Sequence, residues 1–190
     1  MPPKIKFTRE EILSAAMDLT RERGFDGVTA RDLGARLGTS AKPVYRSFAS
    51  MNELKQAVVA EAWRLFDQYC DRETAQGHYP PYKAMGMAYI RFAREERELF
   101  RLLFMRDRTG EPVGAEENSY LAGVALVQAQ TGKTEAQASL FHAEMWIFVH
   151  GIATMCATSY LNWDKDMISR IMTDAYEGLK LRFLSEEGEK

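Results

Sequence analysis

Three side chains suited to gripping an anion fall close together in this sequence: Lys42, Tyr45 and Arg46. Two cations and a phenol hydroxyl suit phosphate oxygens and base edges, and the phenol ring suits the methyl group of thymine. At helical spacing Ala41, Val44 and Phe48 recur on one face, and the polar three point elsewhere. Spacing alone leaves two readings open, a nucleic-acid contact and the solvated face of an ordinary helical hairpin. Enzyme chemistries lack their parts. Gly132-Lys133-Thr134 looks like the end of a phosphate-binding loop, but that loop needs glycine where Val127 stands. His78, His142 and His150 form no HExxH motif, and no serine sits in GxSxG. Cys70 and Cys156 form no CxxC pair, which argues against a thiolate metal site or a disulfide framework and fits a reducing cytoplasm. The expectation is a protein with no catalytic residues, no metal and no cofactor.

The elements that must position Lys42, Tyr45 and Arg46 are helices. Four starts carry a hydroxyl residue followed three positions later by an acid or amide: Thr8/Glu11, Thr29/Asp32, Ser50/Glu53 and Thr134/Gln137. Behind Thr8, Ile12, Ala15, Ala16 and Leu19 recur at helical spacing, predicting a helix over 8–23 that Gly24 ends. Behind Thr29, Ala30, Leu33, Gly34 and Leu37 give a short second helix ended by Gly38. Thr39 and Ser40 restart the chain into a third short helix, where Pro43 is tolerable because it falls in the first turn. Two short helices joined by Gly38-Thr39-Ser40 make a helix-turn-helix, whose second member fits a DNA major groove about 12 Å wide. A longer helix is predicted from Met51 to about residue 73, followed by helices near 82–93, 95–105, 117–130, 134–160 and 164–185. No stretch alternates with period two, so the fold class is all-α.

Of the 190 residues, 46% are hydrophobic and 27% charged, as in an ordinary globular protein, and the net charge is −2. The charge is uneven: residues 1–56 hold ten basic side chains against seven acids, so an anionic partner meets the N-terminal quarter. The basic start, Met1 to Lys6, runs into Arg9-Glu10-Glu11 rather than an apolar stretch, so no secretory signal is expected. The uncharged run from Met145 to Trp163 carries His150, Thr154, Thr158, Ser159 and Asn162. It reads as a helix buried between protein surfaces rather than a membrane span.

Residues 24–54 resemble the N-terminal domain of TetR-family transcriptional regulators. The features that carry the likeness are the corner Gly24-Phe25, the helix begun by Thr29, the turn at Gly38, the tyrosine-bearing helix Lys42-Pro43-Val44-Tyr45-Arg46-Ser47-Phe48, and Glu53-Leu54. More loosely, Trp146-Ile147-Phe148-Val149-His150-Gly151, with residues 89–93 and 98–104 before it, is similar to the family branch whose effector domain carries a Trp-His-Gly signature. The resemblance implies a helix-turn-helix domain over 6–66 and an effector-binding and dimerisation domain over 67–190. It implies a homodimer, joined by the helices near 134–160 and 164–185, on a pseudo-palindromic double-stranded DNA operator. Physics asks for the same, because one short helix reads few bases and a two-fold dimer reads two half-sites.

By the family pattern Arg31, Lys42, Tyr45, Arg46 and Ser47 meet phosphates or bases, Ala41 and Pro43 offer apolar contact, and Thr29 presents a helix start to phosphate. Lys4 and Lys6 form an arm for the adjacent minor groove. Met51 stands where members often place a phosphate-binding lysine, so Lys55 or the arm must compensate. For a small-molecule effector, the resemblance and the aromatic, sulfur-rich helical faces single out Trp63, Phe66, Tyr89, Phe100, Phe104, Tyr120, His142, Met145, Trp146 and Val149. Each of these also reads as plain core. The predicted function is a ligand-responsive regulator of transcription, acting as a repressor, with the long fourth helix as the lever between the two regions. The alternative is a helical dimer that binds small molecules or proteins without DNA.

Overall fold

A computed structural model describes residues 7–107, 109 and 115–185, and the described residues form helices and turns with no strand among them. In chain order the helices are α1 (Arg9–Arg23), α2 (Ala30–Arg36), α3 (Lys42–Ser47), α4 (Met51–Ala75), α5 (Pro81–Glu95), α6 (Arg97–Phe104), α7 (Ala115–Thr131), α8 (Glu135–Ala157) and α9 (Lys165–Ser185), with a single 3-10 turn at Phe25–Gly27. The chain divides into two compact units, and α4 is continuous across the division at Asp67.

The first unit holds α1 to α3, α4 as far as Asp67, and α6. Reciprocal capping boxes at Thr8/Glu11 and Thr29/Asp32 start α1 and α2 as their sequences require. Ile12, Ala16 and Leu19 of α1 are buried with Leu33, Val44, Phe48, Leu54 and Val58, and α6 adds Leu99, Phe100 and Leu103 to the buried set. α6 joins this unit, although the order of the chain sets it among the later helices, because it lies against α1. Just before α6, Glu96 takes a two-pronged hydrogen bond from Arg21 of α1 at 2.8 and 3.3 Å. That pairing joins positions 75 residues apart and leaves no local trace in the sequence.

The second unit holds the rest of α4 with α5, α7, α8 and α9. By length and composition α8 is apolar enough to cross a membrane. Here it lies against α5, α7 and α9 and buries Ala138, Phe141, His142, Met145, Val149, Ile152 and Cys156. Its end falls at Ala157, three residues short of the expected one. The Tyr160 amide bonds back to the Met155 carbonyl (2.9 Å) and the Ser159 amide to that of Cys156 (3.1 Å), closing the helix in a Schellman motif. Asp164 then starts α9 by accepting from the Met167 amide at 2.8 Å. Buried Glu73, near the end of α4, is held by Lys165 of α9 (3.0 Å) and Arg91 of α5 (3.6 Å).

Candidate nucleic-acid interface

The polar face of α3 is held outward by what its other face buries. Val44 and Phe48 are each 1% exposed, whereas Tyr45 is 55% exposed, with Lys42 and Arg46 also on the surface. The turn before α3 is tight for two reasons. Gly38 adopts φ 65°, and the amides of Thr39 and Gly38 bond to the carbonyls of Gly34 (2.8 Å) and Ala35 (3.1 Å), a second Schellman motif. Gly34 lets α2 touch that turn: a Cβ at this position would lie 2.7 Å from the Ser40 carbonyl carbon and 2.9 Å from the carbonyl oxygens of Thr39 and Ser40. Pro43 falls in the first turn of α3, where its missing amide leaves no intrahelical bond unmade.

The cations of the helix-turn-helix differ in what already engages them. Arg9 pairs with Glu53 (2.9 Å), Arg21 with Glu96 (2.8 Å), Arg23 with Asp32 (3.3 Å) and Arg36 with Glu22 (2.5 Å). Lys55 pairs with Asp26 at 3.3 Å and lies 5.5 Å from the centre of the Phe25 ring, so its charge is turned toward the Phe25 corner. Among the described residues, nothing engages the side chains of Arg31, Lys42 or Arg46 by a hydrogen bond or an ion pair. All three are exposed. Ala41, Pro43 and Ser47 of the expected contact set are half-buried beside them. Thr29 is exposed, but its hydroxyl caps α2: it accepts from the Asp32 amide at 3.2 Å and lies 2.5 Å from the Asp32 carboxylate. The hydrogen bond that the Thr29 hydroxyl donates to that carboxylate, with that of the Thr29 amide (3.1 Å) and the nearby Arg23, holds Asp32 below the usual carboxylate range. Met51 opens α4 half-buried. Lys4 and Lys6 lie outside the described residues.

The residues expected to meet an effector fall into two groups. In the first unit Trp63, Phe66, Phe100 and Phe104 meet one another edge-on or tilted, with ring centres 5.2 to 5.8 Å apart. In the second unit His142 is 3% exposed and its Nδ1 lies 2.9 Å from the Tyr82 hydroxyl, with the Tyr120 ring 4.7 Å away. Burial lowers the His142 pKa to about 4, so the ring is neutral and Nδ1 accepts the phenol proton. Burial pushes the Tyr82 hydroxyl the other way, above its ordinary range, which keeps it a donor. The Tyr120 hydroxyl donates to the Ser139 carbonyl at 3.1 Å. Two helical turns on, the Tyr89 hydroxyl lies 2.8 Å from Nδ1 of His150, and Trp146 stacks on the His150 ring at 5.4 Å. Met145 and Val149 are buried between these positions. A cleft of about 410 Å³ in this unit is lined by other residues: Cys70, Asp71, Thr74, Ala75, Pro81, Met85 and Leu126. No group of three histidine, cysteine or acidic side chains among the described residues is placed to hold a metal ion.

Residues 12–58 match the family model described as bacterial regulatory proteins of the tetR family, and residues 82–176 match a tetracyclin repressor-like C-terminal domain. The chain belongs to the TetR family. The second match does not name the Trp-His-Gly branch, whose support is Trp146, His150 and Gly151 themselves. A class D tetracycline repressor protein of Escherichia coli is 28% identical over 108 residues, 57% of this chain and 44% of that protein. The match thus spans less than half of that relative. The uncharacterized HTH-type transcriptional regulator YobS of Bacillus subtilis (strain 168) is 21% identical over 90% of both chains. A crystal structure of a TetR-like transcriptional regulator from Rhodococcus sp. RHA1 shares the fold, with a TM-score of 0.67 and 19% identity, covering 93% of this chain and 96% of that one.

Within this TetR-family fold the structure adds residues that helical spacing did not mark. By spacing Gly34 is one more small residue in the α2 stripe, yet it is what lets α2 pack against the turn that Gly38 makes. Gly123 has the same part on α7, where a Cβ would lie 2.3 Å from Cε1 of His142. Tyr82, the partner of His142, lies 60 residues from it in sequence. A histidine at a predicted core position is the signal that asks for such a partner, since a buried imidazole needs a hydrogen bond.

Proposed function

We propose that this TetR-family protein is a ligand-responsive, sequence-specific DNA-binding regulator of transcription, acting as a repressor that a small molecule releases from a pseudo-palindromic operator. One observation carries the reading. Of the described cations in the helix-turn-helix region, Arg9, Arg21, Arg23, Arg36 and Lys55 are each neutralised by an acid at the surface, whereas Arg31, Lys42 and Arg46 stand exposed with no acid engaging them, the last two on α3 with Tyr45. Neutralising the neighbouring cations with acids while leaving these three unengaged suits a surface that meets phosphates and base edges. The binding region is residues 6–66, with Lys4 and Lys6 as an arm for the minor groove, and the effector and dimerisation region is 67–190, of which α6 packs with the first unit.

A homodimer joined through α8 and α9 fits the apolar side chains these helices expose. Leu140, Ile147 and Met155 on α8 and Met167 and Leu181 on α9 are between 42% and 66% exposed, and nothing would meet a Cβ at Gly151 or Gly178. The relative described as a tetracycline repressor supports a small-molecule input. Tyr89, Tyr120, His142 and Trp146 supply hydroxyl, imidazole and indole groups that an effector entering this unit would meet. Release follows only if the effector binds better to a dimer whose reading helices are wrongly spaced, and α4, continuous through both units, is the lever.

The test is fluorescence anisotropy with the intergenic duplex beside the protein's own gene, at two salt concentrations. The expected result is specific binding that weakens as salt rises, with a slope set by the phosphates neutralised. Absence of binding at both concentrations refutes the DNA-binding reading. It would favour a dimeric module that binds small molecules or proteins, the reading toward which Met51 in place of a lysine leans.

A further inference from the structure

We infer that Arg9 is a positioning residue for the recognition helix: its guanidinium fastens the last carbonyl of α3 to the first turn of α4, so Arg9 governs DNA reading without touching DNA. The inference rests on the DNA-binding reading above. α3 has six residues, too few to hold a helix by its own hydrogen bonds, so its direction is set by what grips each end. The Gly34 contact and the Gly38 turn grip the start.

At the other end the Arg9 guanidinium lies 3.9 Å from the centre of the Phe48 ring, donates through Nη1 to the Ser47 carbonyl, and donates through Nη2 to Glu53 Oε1 at 2.9 Å. The other oxygen of Glu53 accepts from the Ala49 amide at 2.6 Å. Stacking over Phe48 fixes the plane of the guanidinium, and two of its donors are used on the α3–α4 corner. The expected capping box at Ser50 is half-formed for this reason. The Ser50 hydroxyl accepts from the Glu53 amide at 3.1 Å, but the Glu53 carboxylate, which would complete the box, is committed to Ala49 and Arg9. The Ala49 amide first, and Arg9 second, hold that carboxyl below its usual range, so it stays charged wherever DNA binding is measured.

A guanidinium so engaged acts on the operator through geometry and not through a phosphate, and the two routes differ in salt dependence. The experiment measures anisotropy with the same intergenic duplex over a salt series, for the parent protein, R9A, R9K, E53Q, R9A/E53Q and K42A, with circular dichroism as the folding check. R9A and E53Q are each expected to weaken binding about tenfold with the parent's salt slope, while K42A lowers the slope by about one. The double variant is expected to bind no worse than the weaker single one, because both act through one clamp. R9K, which offers a compact ammonium in place of a planar fork, is expected to lose affinity as well. Parent-like affinity in R9A or E53Q, a slope reduced as in K42A, or additive losses in the double variant would overturn the proposal. If R9A does not fold, E53Q and R9K give the same comparison. No binding by the parent protein refutes the DNA-binding reading and this proposal together.

Discussion

Gly34→Ala sets two known tendencies against each other. In a helix interior alanine is favoured over glycine by about 1 kcal/mol. Against that gain, the new methyl would lie 2.7 Å from the Ser40 carbonyl carbon, where ordinary contact begins at 3.4 Å, and it would face backbone rather than a side chain that can rotate away. Forcing an extra carbon into a packed site costs about 1–3 kcal/mol, so the net change in stability is about 0–2 kcal/mol unfavourable. Relief requires the Thr39-Ser40 turn to retreat by about 0.7 Å from α2, and α3 follows directly on that turn. A shift of that size disrupts base contacts worth about 1–3 kcal/mol each. Taking about 1 kcal/mol per half-site, a dimer loses about 2 kcal/mol and binds about 30-fold more weakly. Urea denaturation reads the first quantity and anisotropy against the intergenic duplex the second. A variant that is stabilised by the full helix-propensity gain and binds as tightly as the parent would refute the reasoning.

Three further outcomes are expected. Tyr45→Ala and Arg46→Ala, both on exposed positions of α3, should each abolish specific binding while leaving the melting temperature within about 2 °C of the parent, since exposed positions contribute little to stability; unchanged gel-shift affinity would remove these residues from the interface. The His142 pKa falls from 6.5 to about 4 on folding, so the unfolded chain binds the proton first as the medium is acidified. The His142 contribution is therefore intact above pH 6.5, declines by about 3 kcal/mol as pH falls from 6.5 to 4, and levels off below, and urea titrations of the parent and His142→Gln at stepped pH should show their stability difference closing across that window. Ser159 adopts φ 59°, a left-handed conformation that glycine reaches without steric cost, so Ser159→Gly should stabilise the protein by about 0.5–1 kcal/mol in the same denaturation assay.

The helical architecture was legible because its signals are local. Thr8, Thr29 and Thr134 each announce a helix with a partner three residues on, and each forms the full reciprocal box. Where long-range partners intervene, legibility ends. Glu53 has the right spacing to complete a box at Ser50, yet Arg9, 44 positions earlier, claims its carboxylate. α6 lies with the first unit because Arg21 and the buried Leu99 hold it there, and neither contact has a sequence period. The exposed face of α3 was read from Lys42, Tyr45 and Arg46 because a short amphipathic helix has only one way to turn. The aromatic residues are different: Trp63 and Phe104 meet at 5.2 Å and Trp146 stacks on His150, groupings that residue type and helical spacing do not distinguish.

The internal pairing of six described cations in residues 6–66 has a consequence for how such a protein would search a chromosome. Loose sliding on unrelated sequence is driven by counterion displacement and scales with the number of free positive groups. A reader that leaves only a few of them uncommitted dwells briefly on wrong DNA, gives up little to the vast excess of decoy sites, and leans on symmetry and shape, rather than sheer stickiness, to stay where it belongs.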